Sequence, residues 1–481
     1  MKRSKFSLSN YKLLTGDMGE LLPIGLTEVL PGDTIQQATS LLVRVSPLLA
    51  PVMHPVQVRI HHWFVPHRLV YEDWEKFITG GPDGMDASVF PTITFSGGTG
   101  AAVGSLADYY GVPTGVNNIE VSALPFRGYA KIWNEWYRDQ DLQTALTIDE
   151  TSGADTTTNT TLQNVDWEKD YFTSARPWAQ KGAEITVPLG STAPVKNTYS
   201  SGAIAAASIS RGATTTDQVY INGLNATTGG FYTDLAGATA ASINDLREAF
   251  ALQRYEENRA RYGSRFTEYL AFLGIRSSDA RLQRPEYLGG GKQTIQFSEV
   301  LQSGVTTSGA TAGVGNLRGH GIGAMRSNRY RKFFEEHGYV HSFLSVKPKT
   351  MYAQGLHRTW NRRVKEDFWQ RELQHIGQQE ILNKELYAAH SSPSGTFGYQ
   401  DRYDEYRRAE SSIAGDFRST LDYWHYARIF ASDPTLNASF VKSEPTKRVN
   451  QVTSEDVLWV MANHSIQARR LVAPGGNSFI Y

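Results

Sequence analysis

The chain has 481 residues, 40% hydrophobic and 20% charged, which is ordinary globular composition with length enough to bury a large core. Lys plus Arg and Asp plus Glu both number 48, so the chain as a whole lacks the field of a dedicated nucleic-acid-binding domain, and any such binding is local or shared. The absence of cysteine excludes disulfide scaffolds, thiolate zinc sites and cysteine nucleophiles together and fits folding in a reducing cell.

MKRSKFSLSNYK starts basic with no apolar segment behind it, and no window approaches the ~20 apolar residues of a membrane span, so neither a secretion signal nor membrane insertion is expected. Residues 1–33 read as an N-terminal arm. The first strand candidate is 34–46. From Val56 the pattern alternates, with Val56, Val58, Ile60, His62 and Phe64 on one face and Gln57, Arg59, His61 and Trp63 on the other, a strand with one buried face that ends at Pro66. Tyr71, Trp74 and Ile78 then recur at helical spacing before Gly80, Gly81 and Pro82. Over 126–138, Tyr129, Ile132, Trp133, Trp136 and Tyr137 fit one helix face behind Pro125.

The tract 150–165 and above all 190–240 are dominated by small and hydroxylated residues; the second carries only Lys196, Arg211, Asp217 and Asp234 as charges, which favours a packed loop over a charged disordered linker. A helix is expected from about Ser242 to Tyr262, with Ile243, Leu246 and Phe250 as its apolar stripe. Further strand candidates are 183–189, 293–300 and 339–347, and the Gly-rich stretch 303–323 reads as a loop. Short strands lie far apart with helices and long loops between them, so a strand scaffold with large insertions is favoured over a hairpin meander.

The chemical motifs are weak. HHWFVPHRLVYEDWEKF, residues 61–77, gathers histidines, carboxylates and tryptophans, but neighbours on a strand face opposite sides, so His61 and His62 are poorly placed to share a metal. His337 and His341 would sit ~13 Å apart on an extended strand. Glu72, Asp73 and Glu75 fall off the Tyr71/Trp74/Ile78 stripe, Glu72 at i, i+4 to Lys76, and read as a charged edge. No G-x-S-x-G or H-E-x-x-H occurs; GGGKQT at 289–294 lacks the upstream Gly and the Ser/Thr of a P-loop, and GVGNLRG at 313–319 misses the dinucleotide spacing by one residue. No catalytic set, metal or cofactor is assigned.

Two basic clusters carry more. RSNRYRK places Arg326, Arg329, Arg331 and Lys332 beside Tyr330, and HRTWNRR sets Arg358, Arg362 and Arg363 beside Trp360. Cations mixed with aromatics suit single-stranded nucleic acid, where phosphates take the charge and bases stack on rings. The same residue types also favour subunit interfaces, and both readings stay open.

FVPHRLVYEDWEKF, PFRGYAKIWNEWYRDQDL, RPEYLGGG, EEHGYVHSFLSVKPKTMYAQGL, FGYQDRYDEYRR and FRSTLDYWHYAR, spread from about residue 60 to 430, resemble in the same order the blocks of the major capsid proteins of the Microviridae, small icosahedral single-stranded DNA bacteriophages, on the gokushovirus-like side. The resemblance implies a mainly β fold, an eight-stranded jelly roll of viral capsid type with long helical and loop insertions. It implies a non-enzymatic subunit that assembles with itself into a T = 1 shell around circular single-stranded DNA in the host cytoplasm. Residues 190–240 would be a surface insertion near the threefold axis of one capsid domain spanning 1–481. Partners implied are the genome, an internal scaffolding protein, a small basic DNA-binding protein and a pilot protein. The DNA-contact candidates are Lys2, Arg3, Lys5, Arg326, Arg329, Tyr330, Arg331, Lys332 and Trp360. The rivals are a carbohydrate-active enzyme whose 10 Trp and 24 Tyr line a sugar cleft, and a receptor-binding virion protein, although no repeat or stalk pattern is visible.

Overall fold

The computed structural model describes residues 3–475 apart from 99, 184, 186–194, 198–208, 212–218, 222–230, 234–242, 263–264 and 302–316. The chain divides into two compact units, Met1–Ala179 with Arg261–Tyr481, and Gln180–Ala260. The segment expected as a surface insertion, 190–240, falls within the second unit.

The first unit is built on two antiparallel sheets. Their strands are β1 (Ser4–Ser7), β2 (Asn10–Gly16), β3 (Leu22–Val29), β4 (Thr34–Leu48), β5 (Val56–Pro66), β6 (Glu286–Thr294), β7 (Gln296–Leu301), β8 (Leu317–Arg326), β9 (Tyr330–Phe333), β10 (Gly338–Pro348) and β11 (Leu458–Arg470). The first sheet runs β1-β11-β4-β8-β7, with β2 also on β11 and β9 also on β4; the second runs β6-β5-β10-β3. Alternation makes the sandwich: Leu41, Val43 and Val45 of β4 and Leu458, Val460 and Ala462 of β11 meet Val56, Val58 and Ile60 of β5 and Leu344 and Val346 of β10 in one core.

The second sheet is covered on its other face as well. Helices α1 (Trp74–Thr79), α2 (Leu106–Tyr110) and α3 (Leu124–Ile132) belong to the insertion after β5. Phe126, Tyr129 and Ile132 of α3 pack with Trp63, Val65 and Phe343 of that sheet. Tyr129 donates its hydroxyl to the Leu21 carbonyl at 3.1 Å and Trp133 its indole N–H to that of Asn164 at 2.8 Å, which fixes the helix on the sheet. Both faces of β5 are thus buried from Trp63 onward, unlike the one-sided strand the alternation predicts.

Several expectations are corrected. Residues 4–29 are not an arm but three strands built into both sheets, with Leu22, Ile24 and Val29 fully buried. The helix expected from Tyr71 begins at Trp74, and Lys76 pairs with Asp73 at 2.9 Å, not with Glu72. Pro125 lies in the first turn of α3, where a missing N–H costs nothing, and the helix widens to a π-type turn over Trp133–Tyr137. The Gly-rich stretch is a loop only in expectation from 317 onward, because Leu317–Arg326 is strand β8: a Cβ on Gly319 would lie 2.4 Å from the Ala50 carbonyl oxygen and one on Gly321 2.8 Å from the Phe297 ring, so the glycines permit close approach. Residues 303–316 lie outside the described residues, as does nearly all of the 183–189 strand candidate.

Helix α4 (Ile243–Tyr262), in the second unit as far as Ala260, forms as read, with Ile243, Leu246 and Phe250 exposed. Of 190–240, the described residues are four three-residue strands, 209–211 paired with 219–221 and 195–197 with 231–233.

Candidate nucleic-acid interface

The basic cluster after β8 is sorted by the pleat. Ser327 turns inward, its hydroxyl accepting the Thr39 N–H at 2.9 Å, and the next strand β9 then lies along β4 with Tyr330 opposite Gln37 and Arg331 opposite Gln36. Tyr330 points into the sandwich: it is 8% exposed, donates to Gln37 Oε1 at 2.8 Å, and lies 5.5 Å from the His62 ring, and burial pushes its phenol well above its ordinary value. Its assignment as a base-stacking ring is therefore corrected, since neither ring face is open. Lys332 pairs with Glu286, which neutralises its charge locally. Arg326, Arg329 and Arg331 are exposed.

The N-terminal candidates come close to this cluster. Arg3 donates to the Gly32 carbonyl and to Thr34 Oγ1, each at 3.0 Å, and its guanidinium sits 5.5 Å from the centre of the Phe333 ring. Lys5 is opposite Arg469 on β11, which is itself opposite Thr34. Lys2 lies outside the described residues. Trp360 stands apart, on a short turn over Arg358–Asn361 in the insertion before β11, and is 71% exposed. The arginines beside it are engaged: Arg358 reaches Glu385 at 2.8 Å, and Arg362 reaches Glu405 at 3.5 Å and lies over Tyr406 at 4.4 Å. Three further cations, Arg44, Arg318 and Arg469, lie on the same side as Arg326 and Arg331: Arg318 by alternation along β8, Arg44 and Arg469 through the strand register.

The run 61–77 is structural. His62 bonds Ser342 Oγ at 2.8 Å and Ser327 Oγ at 3.3 Å between the sheets, while His61 faces the other way onto the Tyr137 hydroxyl at 2.7 Å. Burial lowers His62 to about 3 and His61 to about 4. Among the described residues no group of three His, Asp or Glu side chains is placed to hold a metal ion, and no helix is long and apolar enough to cross a membrane. A cavity of about 300 Å³ beside the second sheet is lined by Trp136, Tyr137, Asp139, Asp166, Lys169 and Lys347. Its carboxylates are occupied: Asp139 pairs with Lys169 and with Arg176 at 3.3 Å, and Asp166 accepts from the Gln143 amide at 2.8 Å. This network ties the insertion to the sheet, since Lys347 of β10 donates to the Asp166 carbonyl at 2.6 Å.

The family model described as "Capsid protein (F protein)" matches residues 1–472. The chain belongs to this capsid protein family. It is 38% identical to capsid protein VP1 of Bdellovibrio phage phiMH2K over 94% of this chain and 90% of that protein. It is 33% identical to VP1 of Chlamydia phage 1, over 92% and 89% of the two chains, and 33% identical to VP1 of Spiroplasma virus 4, over 92% and 88%. The membership in the Microviridae capsid proteins read from these blocks is therefore shown; FVPHRLVYEDWEKF falls on β5 and α1, RPEYLGGG on β6, and EEHGYVHSFLSVKPKTMYAQGL on β10, of which β5 and β10 carry the core. The relatives are named as capsid proteins.

Proposed function

We propose that this chain is a major capsid protein that assembles with itself into a T = 1 icosahedral shell enclosing a circular single-stranded DNA genome, on an eight-stranded jelly roll. The observation that carries the reading is the order of the long strands. Taking the pieces that pair with a common neighbour as one row, they run β2-β11-β4-β8 in one sheet and β3-β10-β5-β6 in the other, so the chain passes between the sheets as a double-sheet jelly roll does. The long insertions after β5 and β10 give such a shell subunit lateral surface without altering the sandwich. The subunit is non-catalytic in this reading, a component of the virion assembled in the bacterial cytoplasm. Residues 190–240 supply a surface projection near the threefold axis.

A neutral subunit, with 48 cationic and 48 anionic side chains, provides no net charge against one negative charge per nucleotide. The reading therefore includes a small basic DNA-binding protein inside the particle, together with a scaffolding protein during assembly and a pilot protein in the virion. Cryo-electron microscopy of particles purified from infected cells tests it. Discrete megadalton shells of one jelly-roll subunit protecting nuclease-sensitive circular DNA are expected; a small soluble oligomer without nucleic acid would overturn it.

A further inference from the structure

The cavity of about 300 Å³ beside the second sheet is walled by side chains that the shell reading does not use. Its lining carries six cationic side chains against four carboxylates. Three of the cations have counter-charges: Lys169 and Arg176 pair with Asp139, and Arg59 pairs with Glu168 at 3.0 Å, just outside the lining. The other three hydrogen-bond peptide carbonyls instead. Arg138 donates to the Gln143 carbonyl at 2.8 Å, Arg265 to the carbonyls of Asn134 at 2.7 Å and Arg138 at 3.2 Å, and Lys347 to that of Asp166 at 2.6 Å. Among the described residues none of these three forms an ion pair, and Arg138 Nε is shielded from solvent without a hydrogen-bond partner.

The remaining carboxylates do not close the gap. Asp141 pairs with Arg176 at 3.4 Å, Asp166 accepts from the Gln143 amide, and Glu268 accepts from the Arg265 backbone N–H at 3.1 Å. Burial lowers Arg265 below the ordinary arginine range, with Arg138 and Arg284 adding to it against Glu268 and Glu135. Burial, with Arg59, likewise lowers Lys347 to about 8 despite Glu168 and Asp166. Like charges are thus held together in a partly desolvated pocket, a costly arrangement that a bound counter-charge relieves. The three cations come from distant pieces of chain: Arg138 follows the π-type turn after α3, Arg265 precedes helix α5 (Phe266–Phe272), and Lys347 lies on β10. Trp136, Val165 and Trp167 give the same cavity an apolar wall. Water fills such a space but brings no charge, and a single-atom ion offers guanidinium forks no directed acceptors. A phosphate presents three terminal oxygens to two guanidiniums and an ammonium. The volume lies at the small end of small-molecule pockets, room for a phosphate with a compact organic body.

We propose that this cavity binds a small phosphate monoester, its phosphate on Arg138, Arg265 and Lys347 and its body against Trp136, Val165 and Trp167. The ligand joins the insertion after β5, strand β10 and the segment that opens at Arg265, all within the first unit. It therefore acts as a clamp on the covered side of the second sheet, and the occupied subunit is harder to unfold than the empty one. The site stands or falls apart from the shell reading, because it is built within one chain.

The test is equilibrium dialysis of phenyl phosphate against the full-length protein, with thermal denaturation at fixed ionic strength in phenyl phosphate, benzoate or benzyl alcohol. One phenyl phosphate binds per chain, and the denaturation midpoint rises with its concentration. Benzoate binds about tenfold more weakly and benzyl alcohol does not bind. Arg138→Gln and Lys347→Gln each weaken phenyl phosphate by about tenfold or more. Both leave the ligand-free midpoint unchanged or higher, because each removes a cation that the fold leaves without a counter-charge. Arg138→Lys keeps the charge but loses the fork, and weakens binding less than Arg138→Gln. Arg281→Gln/Arg371→Gln removes charge from exposed positions elsewhere and binds as the wild type does. Absence of saturable binding to the wild-type protein overturns the site and leaves a water-filled cavity, an outcome that needs no variant to fold. Equal affinity for benzoate and phenyl phosphate, or a surface control that loses as much as the Gln variants, overturns it too. So do Gln variants that lower the ligand-free midpoint yet bind phenyl phosphate normally, since the cations would then be purely structural.

Discussion

Arg127 Nε donates to Asp155 Oδ2 at 2.8 Å, and both side chains are fully buried. The guanidinium also reaches the carbonyls of Val70 at 3.0 Å and Thr151 at 3.1 Å, while Asp155 accepts from the Thr158 hydroxyl at 2.7 Å. One ion pair therefore fastens the Thr-rich tract 150–165 to α3 and to Val70 within the run 61–77. Removing one partner strands the other in a dry site, so Arg127→Met and Asp155→Asn each lower stability by about 3–5 kcal/mol. The double variant Arg127→Met/Asp155→Asn loses less than the sum, and chemical denaturation of the four proteins measures the difference.

Acid sensitivity follows from the buried histidines. His62 and His341 are lowered to about 3, and His54 and His67 to about 4, in each case chiefly by burial. Their folded values lie below the unfolded value of 6.5, so the unfolded chain binds more protons between the two, and the stability they permit is complete above that value and lost as pH falls through the window below it. Each contributes a slope of up to about 1.4 kcal/mol per pH unit. Asp166, raised to about 6 by burial, acts with the opposite sign and offsets part of one such slope. The denaturation midpoint should be flat from about pH 7 to 8 and fall steeply between about 6 and 4. In His62→Gln/His341→Gln the neutral midpoint is lower and the acid fall shallower.

The three glycines of RPEYLGGG are a packing device for β6. Gly289 has φ +137° at a register shift against β5, and a Cβ on Gly290 would lie 2.0 Å from the Ile60 carbonyl oxygen. Gly290→Ala forces the edge strand β6 away from β5 and costs about 1–3 kcal/mol or more. Gly84→Ala, with positive φ but no atom within 4 Å of its Cβ, keeps its packing and serves as the comparison for backbone strain alone. Soluble yield and midpoint of the two variants distinguish the effects.

Tyr330 gives a test of its inward placement. Tyr330→Phe deletes the bond to Gln37 and costs about 1 kcal/mol, and Tyr330→Ala about 3–5 kcal/mol through the cavity. Neither changes the salt slope of oligothymidylate binding, whereas a base-stacking Tyr330 would leave stability intact and weaken DNA binding.

The long strands and α3 were legible because their apolar periodicity is strong: Val56 to Phe64 alternates, and Tyr129, Ile132 and Trp133 keep helical spacing. The N-terminal strands were missed because Lys5, Tyr11 and Leu13 face outward and only Phe6, Leu14 and Leu22 onward carry a core signal. Strand β8 was missed because glycine occupies three of its inward positions, so close approach replaced apolar side chains as the sign of burial. The basic clusters were visible as words in the sequence, yet their members go to opposite faces, as Tyr330 and Arg331 do. Lys5, Arg44 and Arg469, which share a face with Arg331, lie more than a hundred residues from it in sequence, a relation only β pairing supplies.

The position of β11 has a kinetic consequence. This strand lies between β4 on one side and β1 and β2 on the other, pairing Ser4 with Arg470 and Thr34 with Arg469. During synthesis at roughly 5–20 residues per second, β2 and β4 emerge early and wait tens of seconds for the strand that joins them. Throughout that wait the nascent sheet has two unsatisfied edges carrying Leu14, Leu41 and Val43, a template for pairing with another nascent chain. Closure of the sandwich is thus a late, long-range event, and any factor that shields those edges until Leu458–Arg470 leaves the ribosome governs how much chain reaches the native state.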